Sequence, residues 1–227
     1  MTMFELTLKT LAGLPQNGPT DPIEYYRRPL LGRIFLRRIN LGLELLPDRR
    51  FSRALEVGYG AGALQIALAD GVDELHGIDL DADAELVTKL LAQRQKTALL
   101  RQGSVYELPY DSDMFDLCVS FSTFEHLHQY QTALAEVWRV LRPGGLFLLG
   151  MPAVNRLMEL GFRAIGFKGI DDHHVTTPRQ VSSAALEQGF RQTRAATLSM
   201  PLPAPLGIKV YYDWLFEKPV ARSVPTP

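Results

Sequence analysis

The chain has 227 residues, 46% of them hydrophobic, with 24 Lys and Arg against 25 Asp and Glu. That length supports one sizeable core in a single domain, and a formal net charge of -1 excludes the broadly basic surface of a general nucleic-acid binder. A single cysteine, Cys118, excludes an internal disulfide and fits a reducing, cytoplasmic setting.

The opening Met1-Thr2-Met3-Phe4-Glu5 lacks the basic region of a signal peptide, and no run of about 18 apolar residues predicts a membrane span. Residues 1–22 carry Gly13, Pro15, Gly18, Pro19 and Pro22 and read as a short helix or extension, then a loop. Residues 23–46 read as a helix started or broken at Pro29, with Leu30, Ile34, Leu41 and Leu45 on one face. Residues 1–50 are therefore expected to form a helical cap. Strands and helices then alternate: strand 52–57, helix 62–70, strand 74–79, helix 82–96, strands 98–102 and 115–120, and helix 131–141. A Pro143-Gly144-Gly145 turn leads into strand 146–151. Thr177 is placed to cap a helix that has Pro178 at its first position and ends at Gly189. A sixth strand is expected at 190–198. In the proline-rich tail 201–227, residues 208–216 suit either a last strand or a short helix. This alternation predicts an α/β fold, a doubly wound, mostly parallel sheet with helices on both faces, centred on residues 51–200.

The most informative stretch is Glu56-Val57-Gly58-Tyr59-Gly60-Ala61-Gly62, where a strand must turn sharply into a helix. Glycine accepts positive φ and lets the backbone approach a ligand, and the helix start offers free N–H groups. Gly58-x-Gly60-x-x-Ala63 also satisfies a relaxed dinucleotide fingerprint, so the turn alone does not choose a cofactor. Asp79 ends the second strand about 20 residues on, where a carboxylate can accept both ribose hydroxyls of an adenosine. It can equally cap the next helix, although Asp81 and Asp83 stand better for that.

Ala54 to Gly62, with an acid two residues before Gly-x-Gly-x-Gly, resembles the first motif of class I S-adenosylmethionine-dependent methyltransferases. Further stretches come in the family's order. Gln102-Gly103-Ser104-Val105-Tyr106-Glu107-Leu108-Pro109-Tyr110 is similar to the segment after strand three. Phe115-Asp116-Leu117-Cys118-Val119-Ser120 is similar to strand four, and Phe124-Glu125-His126-Leu127 to the segment just after that strand. Glu136 to Leu148, including Arg142-Pro143-Gly144-Gly145, resembles the family's helix–turn–strand. His174-Val175-Thr176-Thr177-Pro178, leading to Gly189-Phe190, resembles the last helix of the type 11, small-molecule group. The resemblance covers roughly residues 50–198.

It implies a Rossmann-like, seven-stranded sheet and S-adenosyl-L-methionine as cofactor. By the same resemblance Glu56 orients the methionyl ammonium, and Gly58, Tyr59, Gly60 and Gly62 form the turn around the methionine. Asp79 binds ribose, and Leu80 covers an adenine face. Ser104 and Val105 sit at the adenine edge, and Ser120 offers a backbone carbonyl to the ammonium. Val105 serves equally well as a core residue. Two positions depart from the family pattern: Ser104 stands where an acid is usual, and Tyr59 where a small residue is usual. Glu56 speaks against the alternative of an NAD-linked oxidoreductase. A cofactor-binding but catalytically silent protein remains a second alternative.

The acceptor should enter over the carboxyl ends of the strands. The insert 153–175 is expected to act as a lid or as a peripheral packing helix. Tyr25, Tyr26, Arg27, Phe162 and Phe167 are the candidate substrate residues, and His126, His173 and His174 the candidate bases. The arginines Arg27, Arg28, Arg33, Arg37 and Arg38 suit a solvated helix face, an anion site or contact with a membrane surface. No metal is expected, since His126, His128 and Asp171 to His174 have no spacing that fixes a site. The expected partner is a small-molecule acceptor, and no nucleic acid or stable membrane insertion, in a monomer or homodimer.

Overall fold

The computed structural model describes residues 3–17, 28–153, 175–200 and 208–220. Among the described residues two helices precede the sheet, α1 (Leu8–Ala12) and α2 (Pro29–Leu43). Then come β1 (Phe51–Val57), α3 (Ala63–Leu68), β2 (Val72–Asp79), α4 (Ala84–Gln93), β3 (Leu99–Gln102) and β4 (Phe115–Phe121). A 3-10 turn (Phe124–His126) leads to α5 (Tyr130–Val140) and β5 (Leu141–Pro152). The order closes with α6 (Pro178–Glu187), β6 (Arg191–Met200) and β7 (Ile208–Glu217).

The seven strands form one sheet in the order β3-β2-β1-β4-β5-β7-β6. Neighbours from β3 through β5 pair in parallel, whereas β7 runs antiparallel to both β5 and β6. The expected mostly parallel, Rossmann-like sheet is what the chain builds, and the tail segment that could have been strand or helix is a strand. Its sequence alternates β-branched and aromatic residues (Val210, Tyr211, Tyr212, Trp214, Phe216), which suit a pleated surface.

Strand residues alternate between two core layers. Leu55, Cys118, Phe147 and Leu149 face α5 and α6, packing with Leu134, Val137, Val181 and Ala185. Ala54, Leu117, Val119 and Leu148 face the other way, toward Ile39 and Leu43 of α2 and Leu64 and Leu68 of α3. Strands covered on both faces need nearly continuous apolar runs, and six of the seven residues of β4 are buried. Thr177 caps α6 reciprocally with Gln180, as the capping position predicts.

Three expectations change in detail. Residues 143–145 are not a turn ahead of a strand but a bulge within β5. Phe115 pairs with Leu141 and Leu117 with Leu146, so Arg142 to Gly145 are looped out, with Gly144 at φ +78°. The buried face of α2 is carried by Phe35, Ile39 and Leu43, not by Ile34 and Leu41, which are only half-buried. The helix is rotated because Gly42 must pass close to Phe121 and Asp213, where a Cβ would come within 2.6 Å and 2.8 Å. Helix α4 is shorter than expected at both ends: Asp83 caps its start through the N–H groups of Glu85 and Leu86, and the chain leaves the helix before Gln95, at φ +56°.

Candidate active site

The loops at the carboxyl ends of β1, β2, β3 and β4 enclose a cavity of about 550 Å³. That is where open α/β sheets hold ligands. Glu56, Gly58, Tyr59, Gly60, Asp79, Leu80, Ser104 and Val105 all line it. Two predicted residues stand behind the wall. Gly62 faces Val87, whose Cγ1 lies 2.5 Å from where a Cβ would be, so its role is the packing of α3 on α4. Ser120 is fully buried, and its hydroxyl donates to the Val57 carbonyl at 2.9 Å; Phe121, Ser122 and Thr123 form that part of the wall.

The turn itself is left-handed at Gly58 (φ +81°) and Gly60 (φ +47°), which costs other residues about 1–2 kcal/mol each. The two glycines differ in what surrounds them. A Cβ on Gly58 would meet Thr123 Oγ1 at 2.1 Å, whereas a Cβ on Gly60 would meet nothing within 4 Å and would point into open space. Gly60 is therefore where the backbone itself forms the ligand wall.

Two carboxylates bracket the turn. Glu56 is 4% exposed and accepts a hydrogen bond from Gln65 Nε2 at 2.8 Å. Burial pushes its carboxyl up to about 8, the Gln65 bond opposes this, and nearby Asp79 adds to it. A buried acid on a cavity wall is a ready receptor for an ammonium, which would restore its ordinary ionisation. Asp79 spends both oxygens on the backbone: Oδ2 takes the Gly60 N–H at 2.9 Å, and Oδ1 takes those of Asp81 and Ala82 at 3.0 Å. It holds the turns on either side of it and does not cap the next helix, whose cap is Asp83, the better-placed candidate in the sequence. Leu80 beside Asp79 is 62% exposed, an apolar surface at the rim with its carbonyl held by Gln102 Nε2 at 2.9 Å.

Val105 lines the cavity and also belongs to the core, so both of its readings hold. The Ser104 hydroxyl accepts the Tyr106 N–H at 3.2 Å. This loop is pinned from α5: Glu136 accepts the Leu108 N–H at 2.7 Å, and Arg139 donates to the Leu108 and Tyr110 carbonyls at 2.9 Å and 2.7 Å. Tyr59, the bulky departure in the turn, is 3% exposed and reaches the Ala82 carbonyl at 3.4 Å.

Some wall residues were not legible in the sequence. Asn17 donates to the Gly60 carbonyl at 2.8 Å and accepts the Asp83 N–H at 2.9 Å, clamping the turn to the start of α4. Nothing in a lone Asn among prolines and glycines signals that role. Arg38, from the middle of α2, is the arginine that reaches the wall among the described residues of its cluster. His126 lines the cavity, with Nε2 3.9 Å from Glu125 Oε1. The other candidate acceptor residues, Tyr25, Tyr26, Arg27, Phe162, Phe167, His173 and His174, and the insert 153–175 apart from its two end residues, lie outside the described residues. No helix among the described residues is long and apolar enough to cross a membrane.

A family model for the methyltransferase domain matches residues 55–149, from within β1, just ahead of the glycine turn, to near the end of β5. Over those residues the chain is similar to an S-adenosylmethionine-dependent methyltransferase domain. It is 31% identical over 109 residues to trans-aconitate 2-methyltransferase of Deinococcus radiodurans, covering 48% of this chain and 41% of that protein. It is also 31% identical to malonyl-acyl-carrier-protein O-methyltransferase of Enterobacter lignolyticus, covering 69% of this chain and 61% of the relative. The chain thus spans about two to three fifths of the length of these curated relatives. Its fold matches that of a sarcosine dimethylglycine methyltransferase-like protein from Galdieria sulphuraria. That superposition has a TM-score of 0.65 at 17% identity and covers 93% of this chain and 96% of the other.

Proposed function

We propose that the protein transfers the methyl group of S-adenosylmethionine to a small-molecule acceptor. The observation that carries this reading is the pairing of a buried acid with an open glycine on one wall: a cation beside Glu56 would favour its ionised form, and Gly60 leaves room for a ligand. An ammonium is the ligand group that would favour ionised Glu56, and a pyrophosphate offers none, which argues against NAD.

In this reading Glu56 holds the methionyl ammonium, and the Gly58–Gly60 backbone faces the methionine. Asp79 accepts from the ribose hydroxyls while continuing to cap its turn, and Leu80 and Val105 pack on adenine, with Ser104 at its edge. The cofactor supplies an activated methyl group on a positively charged sulfur. The chain's contribution is to align that group and exclude water, since the leaving thioether needs no acid. His126 and His128 stand on the wall within reach of an acceptor that must lose a proton. A small acceptor suits a cavity of about 550 Å³, most of which the cofactor would fill. Transfer of labelled methyl from S-adenosylmethionine into a chloroform- or acid-extractable product, lost in Gly60→Val, tests the proposal. Tight binding of the cofactor with no turnover on any acceptor class would leave the silent-binder alternative standing.

A further inference from the structure

On the side of the cavity formed by the segment after β4, the side chains of three elements converge. Arg38 of α2 lies over the rings of Phe35 at 4.1 Å and Tyr211 at 4.9 Å, which hold its guanidinium in one plane. The Tyr211 hydroxyl, on β7, lies 2.9 Å from the hydroxyl of Ser122. Ser122 comes just after β4 with φ +54°, a conformation that costs a serine energy and that recurs at ligand sites. Arg38 and Ser122 both line the cavity. Two acids stand behind this wall and do not reach it, Glu125 at 1% exposure and Asp213 at 0%.

We propose that this side of the cavity receives the acceptor through a carboxylate: the Arg38 guanidinium takes its charge, and Ser122, backed by Tyr211, donates to one of its oxygens. The inference rests on the methyl-transfer reading above and names the acceptor class for the same site. Three observations favour it. A guanidinium on the wall repels an ammonium acceptor and matches an anionic one. Burial raises the carboxyls of Glu125 and Asp213 even against the opposing pull of the Arg38 charge, and so favours their neutral forms. The Tyr211 hydroxyl is also held well above its ordinary value by burial, so it remains a proton donor, and the chain Tyr211 to Ser122 to anion polarises in one direction.

The donor's own carboxylate is the competing ligand for this position, because Ser122 follows β4, which pairs directly with the β1 of Glu56. With an acceptor carboxylate there, the chemistry needs no base. The carboxylate oxygen left free forms the new C–O bond with the methyl carbon as the C–S bond breaks. The electron pair returns to sulfur, and an anion and a sulfonium become a neutral ester and a neutral thioether with no proton moved. His126 and His128 shape the pocket in this account and do not act as bases.

The test is calorimetry on protein saturated with S-adenosylhomocysteine, titrated with benzoate and octanoate and, in parallel, with benzamide and octanamide. The carboxylates should bind and the amides should not. Arg38→Gln should weaken the carboxylates by at least about tenfold, the loss expected for a charge-assisted pair, with cofactor affinity unchanged. Ser122→Gly, at a φ that glycine adopts freely, should weaken them by a smaller factor and keep the fold intact. Methyl esters should then appear when S-adenosylmethionine replaces the product. Equal binding of amides, or no binding of either class to the loaded protein, overturns the proposal. So does an Arg38→Gln protein that loses affinity for S-adenosylhomocysteine but not for methylthioadenosine, which lacks the amino-acid carboxylate; Arg38 would then serve the donor. If S-adenosylhomocysteine itself fails to bind wild-type protein, the methyl-transfer reading is what has failed.

Discussion

Asp79 Oδ2 accepts the backbone N–H of Gly60 at 2.9 Å, so the acid that ends β2 holds the turn that ends β1. The same carboxylate closes the turn into α4 through Asp81 and Ala82. Asp79→Ala should therefore lower both properties. Apo stability should drop by about 0.5–2 kcal/mol, the usual cost of a lost cap, and affinity for S-adenosylhomocysteine should fall by at least about tenfold. Denaturant unfolding and calorimetry on one preparation check both. An unchanged affinity would confine Asp79 to its structural role.

Glu56 gives a pH dependence with a definite sign. Its carboxyl titrates near the ordinary 4.5 when unfolded and at about 8 when folded, so between these values the folded protein holds the extra proton. The contribution of Glu56 to apo stability should therefore be full at acid pH below 4.5 and decline as pH rises toward about 8, with Glu125 and Asp213 acting in the same direction. Glu56→Gln should flatten that decline, measured as thermal midpoint against pH. An ammonium placed against Glu56 favours its charged form, so cofactor binding near neutrality should release a proton. Calorimetric heats in buffers of different ionisation enthalpy read this directly. Identical heats in all buffers would contradict an ammonium at that site.

The glycine turn should separate folding from binding. Gly58→Ala pushes a Cβ to 2.1 Å from Thr123 Oγ1 and should destabilise by more than the roughly 1–2 kcal/mol of left-handed strain alone. Gly60→Val carries the strain without a collision, since nothing lies within 4 Å, and should keep a folded protein that no longer binds S-adenosylhomocysteine. Unfolding curves for the two variants, with and without ligand, check the contrast. A Gly60→Val protein that still binds would move the ligand off this wall.

The sheet was legible because its central strands are largely buried and helices with plain caps, such as Asp83 and Thr177, lie between strands along the chain. The glycine turn and its two acids could be read for the same reason that they work: only certain residue types fit there. The features that escaped depend on tertiary placement. The rotation of α2 is set by Gly42 passing over Phe121 and Asp213, contacts about 80 and 170 residues away in sequence. Arg38 is indistinguishable in sequence from Arg33 and Arg37 until that rotation turns it toward Tyr211. The left-handed backbone of Ser122 and its partner on β7 have no sequence signal, because Tyr211 is 89 residues away.

The central claim is that this cavity is a methionine-linked adenosine site built on Glu56, Gly60 and Asp79. One calorimetric titration series tests it most directly, with S-adenosylhomocysteine, S-adenosylmethionine and NAD run against wild-type and Gly60→Val protein. The account predicts saturable binding of both sulfur compounds to wild type, none to Gly60→Val, and no heat with NAD. Saturable NAD binding with no response to S-adenosylhomocysteine would contradict it.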